Sequence, residues 1–369
     1  MKSLSALALS ALLVASGCNA TTSEEAVTSD SALEGDAACA AEAARFDAQL
    51  ARIPHATYDA VMETKTACGT RFHTVGPTHV DEHRLVRVGS MTKSFVSVVT
   101  LQLVAEGKVK LDDRLDVYLP DVPSFASGVT VRQILQHTSG LFNYTETQEF
   151  WTALSAHPDQ PISVDEILAL SAARPAYFAA GGGWHYSNTN YILAGLLVEK
   201  VDERPIAESI RARILEPNDL HETFFDGEET VAGVMVPGFD KNGVDVTNTY
   251  DLSWAWAAGA MVSTPPDMTR FLELLGSGRL LPPAEQAELT TKVATPQPGL
   301  GYGLGVFMSD ASITGGLGPA IGHGGDIMGY HSWGLYFPEK KVTFFGCVAS
   351  DRGNGNDVMV AALTAMLGP

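Results

Sequence analysis

Positive charge is scarce in this sequence of 369 residues, where 24 Lys and Arg stand against 43 Asp and Glu for a formal net charge of -19. Binding a phosphate backbone takes clustered Lys and Arg, so the shortage excludes nucleic acid as a partner. Long apolar runs are also missing. The apolar stretch at residues 4–14 is about a dozen residues, whereas a membrane-spanning helix needs about 20. No later stretch approaches that length, so no transmembrane helix is expected. Cysteine is rare, with four residues at positions 18, 39, 68 and 347, and no pair has the CxxC spacing of a zinc or redox site. The ten His show neither HExxH nor another paired-ligand spacing, so neither a metal nor any other cofactor is expected. No Gly-x-Ser-x-Gly turn surrounds Ser90 or Ser139, and no internal repeat is present.

What is present starts with Met1-Lys2, the apolar run, and then Ala15-Ser16-Gly17-Cys18. A basic start, a short hydrophobic segment and small residues make an export signal. The pattern resembles a bacterial lipobox, which implies cleavage before Cys18, lipidation of that cysteine, and contact with a membrane only through the lipid anchor. Asn19, where an Asp is absent, implies the outer membrane in a Gram-negative host. An ordinary secretory signal is the competing reading. Residues 18–36 are small, polar and acidic, with too little apolar surface to offset ordering, and are expected to be a disordered tether. About 330 residues remain, more than most single-core domains, so two subdomains are expected.

Residues 37–53 are rich in strong helix formers with apolar residues at helical spacing, which predicts an amphipathic helix. Residues 56–66 and 71–75 alternate around Cys68-Gly69 and predict a hairpin. Residues 91–106 predict a long apolar helix through the interior, ended by Gly107. From 129 to about 245 the pattern is helical, broken by Pro and Gly clusters. A helix at 266–276 follows, then Gly-punctuated strand-like runs at 301–308, 331–338 and 341–349, and a terminal helix at 357–367. Together these predict an α+β body built from both chain ends, with an all-helical lobe between.

Three short motifs carry chemistry. In Ser90-Met91-Thr92-Lys93, spacing i,i+3 puts both side chains on one helix face. A Ser hydroxyl needs a neighbouring base, and a Lys is one if burial lowers its pKa. The Ser90 N–H at a helix N-terminus would favour an oxyanion. A capping Ser beside a solvated Lys is the bland alternative. In Tyr186-Ser187-Asn188, after a Gly-rich loop, a phenol relays a proton and an amide both accepts from Lys and donates to substrate; the alternative is a packed loop Tyr and a helix-capping Asn. In His323-Gly324-Gly325-Asp326 the glycines let a substrate backbone approach an edge strand, the Asp326 N–H offers a second oxyanion donor, and His323 offers a proton or positive charge.

In this order the three motifs resemble the serine β-lactamase and penicillin-binding protein family, in its class C β-lactamase and D-alanyl-D-alanine carboxypeptidase branch. Leu135-Gln136-His137-Thr138-Ser139-Gly140-Leu141, residues 258–264 with Asp267, and Tyr302-Gly303-Leu304-Gly305 match as further landmarks. The resemblance implies a β-lactamase-like fold, an antiparallel sheet flanked by helices with the inserted helical lobe at about 129–245. It implies that Ser90 forms the acyl-enzyme, that Lys93 and Tyr186 pass its proton with the base unassigned, and that Asn188 and His323, with Gly324 and Gly325, hold the substrate. The N–H groups of Ser90 and Asp326 would bind the oxyanion, and His137 would be structural. Loops 142–151 and 226–251 would wall the cleft. His323 replaces the Lys of class C β-lactamases, which favours a carboxypeptidase-like peptidase or esterase over a β-lactamase, with a small acyl, peptide or β-lactam-like substrate. A catalytically idle surface lipoprotein or penicillin-binding protein is the alternative from another class. The fold the resemblance implies also brings Cys39 near Cys68 as a possible disulfide and leaves Cys347 buried and free.

Overall fold

A computed structural model describes residues 29–50, 59–78, 80–352 and 363–364. Its contacts divide the chain into two compact units, Met1–Ala43 and Ala44–Pro369. The leader with Cys18, and all of the expected terminal helix except Leu363 and Thr364, lie outside the described residues. Helix α1 covers Ser29–Leu50, so it begins inside the stretch expected to be a disordered tether. The Ala, Leu and Glu upstream of Ala37 are themselves strong helix formers, and the single Gly35 among them costs only about 1 kcal/mol. Cys39 is in a disulfide, as is Cys68, and Cys347 is free and buried. No helix among the described residues is long and apolar enough to cross a membrane.

Within Ala44–Pro369 the hairpin is β1, Ala60–Thr66, and β2, Gly69–Val75. It joins an antiparallel sheet with β6 (Val293–Ala294), β7 (Leu300–Tyr302), β8 (Phe307–Ser309), β9 (Ala320–Ile327), β10 (Tyr330–Phe337) and β11 (Val342–Val348). The order is β2-β1-β11-β10-β9-β8-β7-β6, so the first strand pairs with the last, Ala60 opposite Val348. Every residue of β11 is buried. Phe345 and Cys347 face one apolar cluster, while Val342, Phe344 and Val348 face another. A strand covered on both sides has no need to alternate, which is why residues 341–349 read as one apolar run. A second sheet, β3 (Val86–Arg87), β5 (Met261–Ser263) and β4 (Phe224–Phe225), was not legible beforehand because strands of two or three residues carry no period.

The helical lobe comprises α3 (Val131–Leu135), α4 (Gln148–Ala156), α5 (Val164–Ala172), α6 (Asn188–Asp202) and α7 (Ile206–Ile210). Two of its helices start with capping boxes, Thr130 with Gln133 and Ser163 with Glu166, which satisfy first-turn N–H groups. Helix α8 (Pro265–Gly276) lies against β1, β10 and β11, and α9 (Pro283–Thr290) follows it. Between lobe and sheet runs α2, Thr92–Ala105, packed on α6, α7 and α9 and buried at 11 of its 14 residues. Its buried hydroxyls are paired: Ser94 donates to Gly305 O, Ser97 bonds Tyr191, and Thr100 donates to Val96 O. Phe95 on α2 stacks on Phe271 of α8 with ring centroids 3.6 Å apart. Phe95→Ala opens a cavity at the junction of lobe and sheet and should lower unfolding free energy by about 3–5 kcal/mol in denaturant titration.

Candidate active site

Ser90 lies in a single 3-10 turn, Gly89–Met91, that runs directly into α2. Gly89 has a left-handed φ of +53, and a Cβ there would sit 3.1 Å from the Asp326 amide nitrogen. Gly325 concedes space from the other side, since a Cβ on it would stand 2.0 Å from Val88 O. Glycine at both positions therefore lets the Ser90 turn lie directly on β9.

Lys93, in the first turn of α2 and three residues after Ser90, is fully buried. Its Nζ is 2.9 Å from Ser90 Oγ, 2.8 Å from Asn188 Oδ1 and 2.6 Å from Ala258 O. Burial holds its pKa well below the ordinary lysine value. A neutral amine has two N–H groups, which the two carbonyl oxygens take up, leaving its lone pair for the Ser90 hydroxyl. After a proton arrives, the three ammonium donors meet three oxygens. The surroundings thus satisfy the lysine in both states.

Tyr186 and Asn188 arrive from the loop before α6, and Asn188 is the first helical residue. The Asn188 N–H donates to Asn143 Oδ1 at 3.0 Å, and its side-chain NH2 donates to Thr145 Oγ1 at 3.1 Å, which turns Oδ1 toward Lys93 and leaves one N–H over. Burial raises the Tyr186 pKa, opposed by a hydrogen bond with Ser90, so Tyr186 stays a phenol. Its ring centroid is 5.0 Å from Lys93 Nζ. His137 supports the loop from below, as a structural role requires. Its Nδ1 accepts from the Ser187 N–H at 3.2 Å and the Asn190 side chain at 3.0 Å, and burial keeps it neutral.

On β9, His323 Nδ1 donates to Gly324 O at 2.5 Å, which leaves Nε2 to accept from Tyr302 OH at 3.0 Å. Burial, helped by the nearby Lys93, pushes its pKa down to about 3. The expectation of a proton or positive charge from His323 is therefore corrected: the imidazole is neutral and both its nitrogens are engaged. β8 pairs with β9 only over residues 320–322. The remaining edge of β9 borders a cleft of about 790 Å³ lined by Ser90, Tyr186, Asn188 and residues 322–326. Ser90, Tyr186, Asn188 and residues 323–326 thus share one cleft, and the buried Lys93 reaches it through its bond to Ser90 Oγ. Its other wall is not 142–151 or 226–251, as expected, but Leu300, Phe307, Ile313, Trp333 and Leu335 from around the sheet edge. The two expected loops act at one remove: Asn143 and Thr145 orient Asn188, and Thr247 O and Asp226 hold Arg87 at the approach to Ser90. Asp326 and His331 are the charged residues of the lining. Tyr302 and Ala258 were legible only as landmarks, and no role was legible for Thr145 or His331, because a backbone carbonyl and an isolated hydroxyl leave no pattern.

A family model described as Beta-lactamase matches residues 64–366. The chain belongs to the beta-lactamase family. Of solved structures in this beta-lactamase fold, a D-stereospecific amidohydrolase from Streptomyces sp. is 33% identical with a TM-score of 0.78, the match covering 87% of this chain and 98% of that one. The D-amino acid amidase of Ochrobactrum anthropi SV3, in complex with L-phenylalanine, is 26% identical with a TM-score of 0.78, covering 88% and 98%. Esterase EstB of Burkholderia gladioli is 33% identical over 165 residues, 40% of this chain and 40% of the esterase. The match spans about half or less of the length of the curated relatives. If beta-lactamase chemistry needs the close seat of Ser90 on β9, Gly325→Ala should slow fluorophosphonate labelling of Ser90 at least about tenfold, because small displacements at a reacting centre are costly.

Proposed function

We propose that this chain is a serine hydrolase that cleaves small amides and esters through an acyl-enzyme on Ser90, as D-alanyl-D-alanine carboxypeptidase-like peptidases and esterases do. The observation that carries the reading is the buried Lys93 amine 2.9 Å from Ser90 Oγ. Ser90 Oγ attacks the acyl carbon and its proton passes to Lys93 Nζ. The oxyanion lies between the N–H groups of Ser90 and Asp326. Asn188 holds the substrate amide with its remaining N–H. Tyr186, kept protonated, hands a proton to the departing amine or alcohol and regains one from Lys93. Water then attacks the acyl-enzyme by the reverse route and frees the acid and Ser90. Lys93 is thus the base and Tyr186 the relay.

The charge of the cleft ranks the substrates. A β-lactam, like a peptide ending in a free carboxylate, presents an anion, yet no Lys or Arg lines the cleft, His323 is neutral, and the one cationic ring, His331, is already paired with Asp326 and Asp351. An uncharged amide or ester meets no such mismatch. The likeness to an amidohydrolase, an amidase and an esterase supports this order. We further propose export and lipid anchoring through Cys18, on the leader sequence alone.

Fluorophosphonate followed by mass spectrometry should label Ser90, with no label on Ser90→Ala. Lys93→Met should lower kcat by about 10²–10⁴. Protonation removes the base, so kcat falls on the acid side, and that limb should lie well below about 10.4, the ordinary lysine value; a limb at the ordinary value excludes Lys93. Turnover of p-nitrophenyl butyrate or an amino-acyl amide should exceed that of nitrocefin, and the reverse order would favour a class C-like β-lactamase. For the anchor, palmitate labelling in cells should mark the chain, and Cys18→Ala should abolish the mark and release the protein from membranes.

A further inference from the structure

The cleft contains an ion pair that this mechanism does not use. His331 on β10 stands opposite Asp326 on β9 in the antiparallel register. Its Nδ1 is 2.5 Å from Asp326 Oδ1, and its Nε2 is 3.2 Å from Asp351 Oδ1. Ionised carboxylates only accept, so both ring nitrogens donate and the ring is an imidazolium. Asp351 also accepts the Gly329 N–H at the β9–β10 turn, so the clamp fixes that turn as well. Hydrogen bonds to Asp326 and Asp351 raise the His331 pKa to about 9 against partial burial. From β11, Cys347 faces the same region as a thiol kept neutral by burial.

Asp326 has two parts with opposed effects on an oxyanion. Its amide nitrogen lies against the Ser90 turn, 3.1 Å from where a Cβ of Gly89 would stand. Its carboxylate is 84% exposed on the same cleft and repels developing negative charge.

We propose that His331 is a positioning and charge-balancing residue of the Ser90 site: its imidazolium pins Asp326 in register and cancels a carboxylate that would otherwise oppose the oxyanion. The proposal rests on the acyl-serine reading. Loss of the His331 proton leaves Asp326 and Asp351 uncompensated, so turnover falls as pH rises through about 9. Because the carboxylate is solvated, the effect is about tenfold and shrinks in high salt.

The test follows kcat and KM for p-nitrophenyl butyrate from about pH 6 to about pH 10, less the buffer rate, in the full chain, His331→Gln, Asp326→Asn and the double variant. The unmodified chain should lose kcat about tenfold across the alkaline limb at steady KM. His331→Gln should be about tenfold slower at neutral pH and lack that limb. In the Asp326→Asn background the same change should alter kcat by less than about twofold, because the two residues act as one unit. A wild-type kcat in His331→Gln, or a loss that persists in the Asp326→Asn background, overturns the proposal. Should His331→Gln fail to fold, Asp326→Asn alone decides: its alkaline limb should vanish, and a surviving limb overturns the proposal. Fluorophosphonate labelling separates the two readings, since no label on Ser90 sinks the acyl-serine mechanism, whereas a labelled chain indifferent to His331 sinks only this inference.

Discussion

Lys93 is an ionisable group fully buried in the first turn of α2, a helix covered at 11 of its 14 residues, and the architecture around it follows from that placement. An ammonium in such surroundings is costly unless every proton finds an oxygen. The oxygens come from three separate parts of the chain: the Ser90 turn, Asn188 at the head of α6, and Ala258 in the 3-10 turn Trp256–Ala258. The last is held under strain, with Trp256 at a positive φ of 33 and its indole N–H bonded to Glu228. A strained, non-glycine residue is tolerated where its surroundings over-determine it, and here it aims a carbonyl at the lysine. The lobe and the sheet therefore meet at one amine.

The motifs that position this amine were legible because each puts a side chain at a fixed offset from its neighbour. Ser90 and Lys93 needed only helical geometry, and the hairpin at Cys68-Gly69 and the apolar run of β11 needed only the strand pattern. What was not legible depends on burial and on backbone atoms. His323 reads as a potential cation until the packing of Tyr302, Phe307 and Lys93 around it is known. His331 sits in a stretch that reads as an ordinary strand, and its partner Asp351 lies in the bend that follows β11. The start of α1 was missed for the opposite reason, since an acidic and polar composition masked good helix formers.

Neutral His323 and paired His331 give the cleft an unusual balance. Both imidazoles are near the edge of β9, yet one is uncharged because its bond to Gly324 O does not offset burial beside Lys93, and the other is charged because two carboxylates hold its proton. The same side chain thus serves two electrostatic purposes within one strand pair, and position alone distinguishes them.

The pairing of β1 with β11 has a consequence for how the molecule is made. Ala60 and Val348 are separated by nearly the whole described chain, and β9, which supports Ser90, is stitched to β1 only through β10 and β11. A nascent chain emerging from the ribosome holds Ser90 and Lys93 long before it holds their supporting strand. Contacts of such sequence separation form late and slowly. The nucleophile is therefore assembled only after synthesis of the last strand, and a chain still being made carries no competent hydrolase.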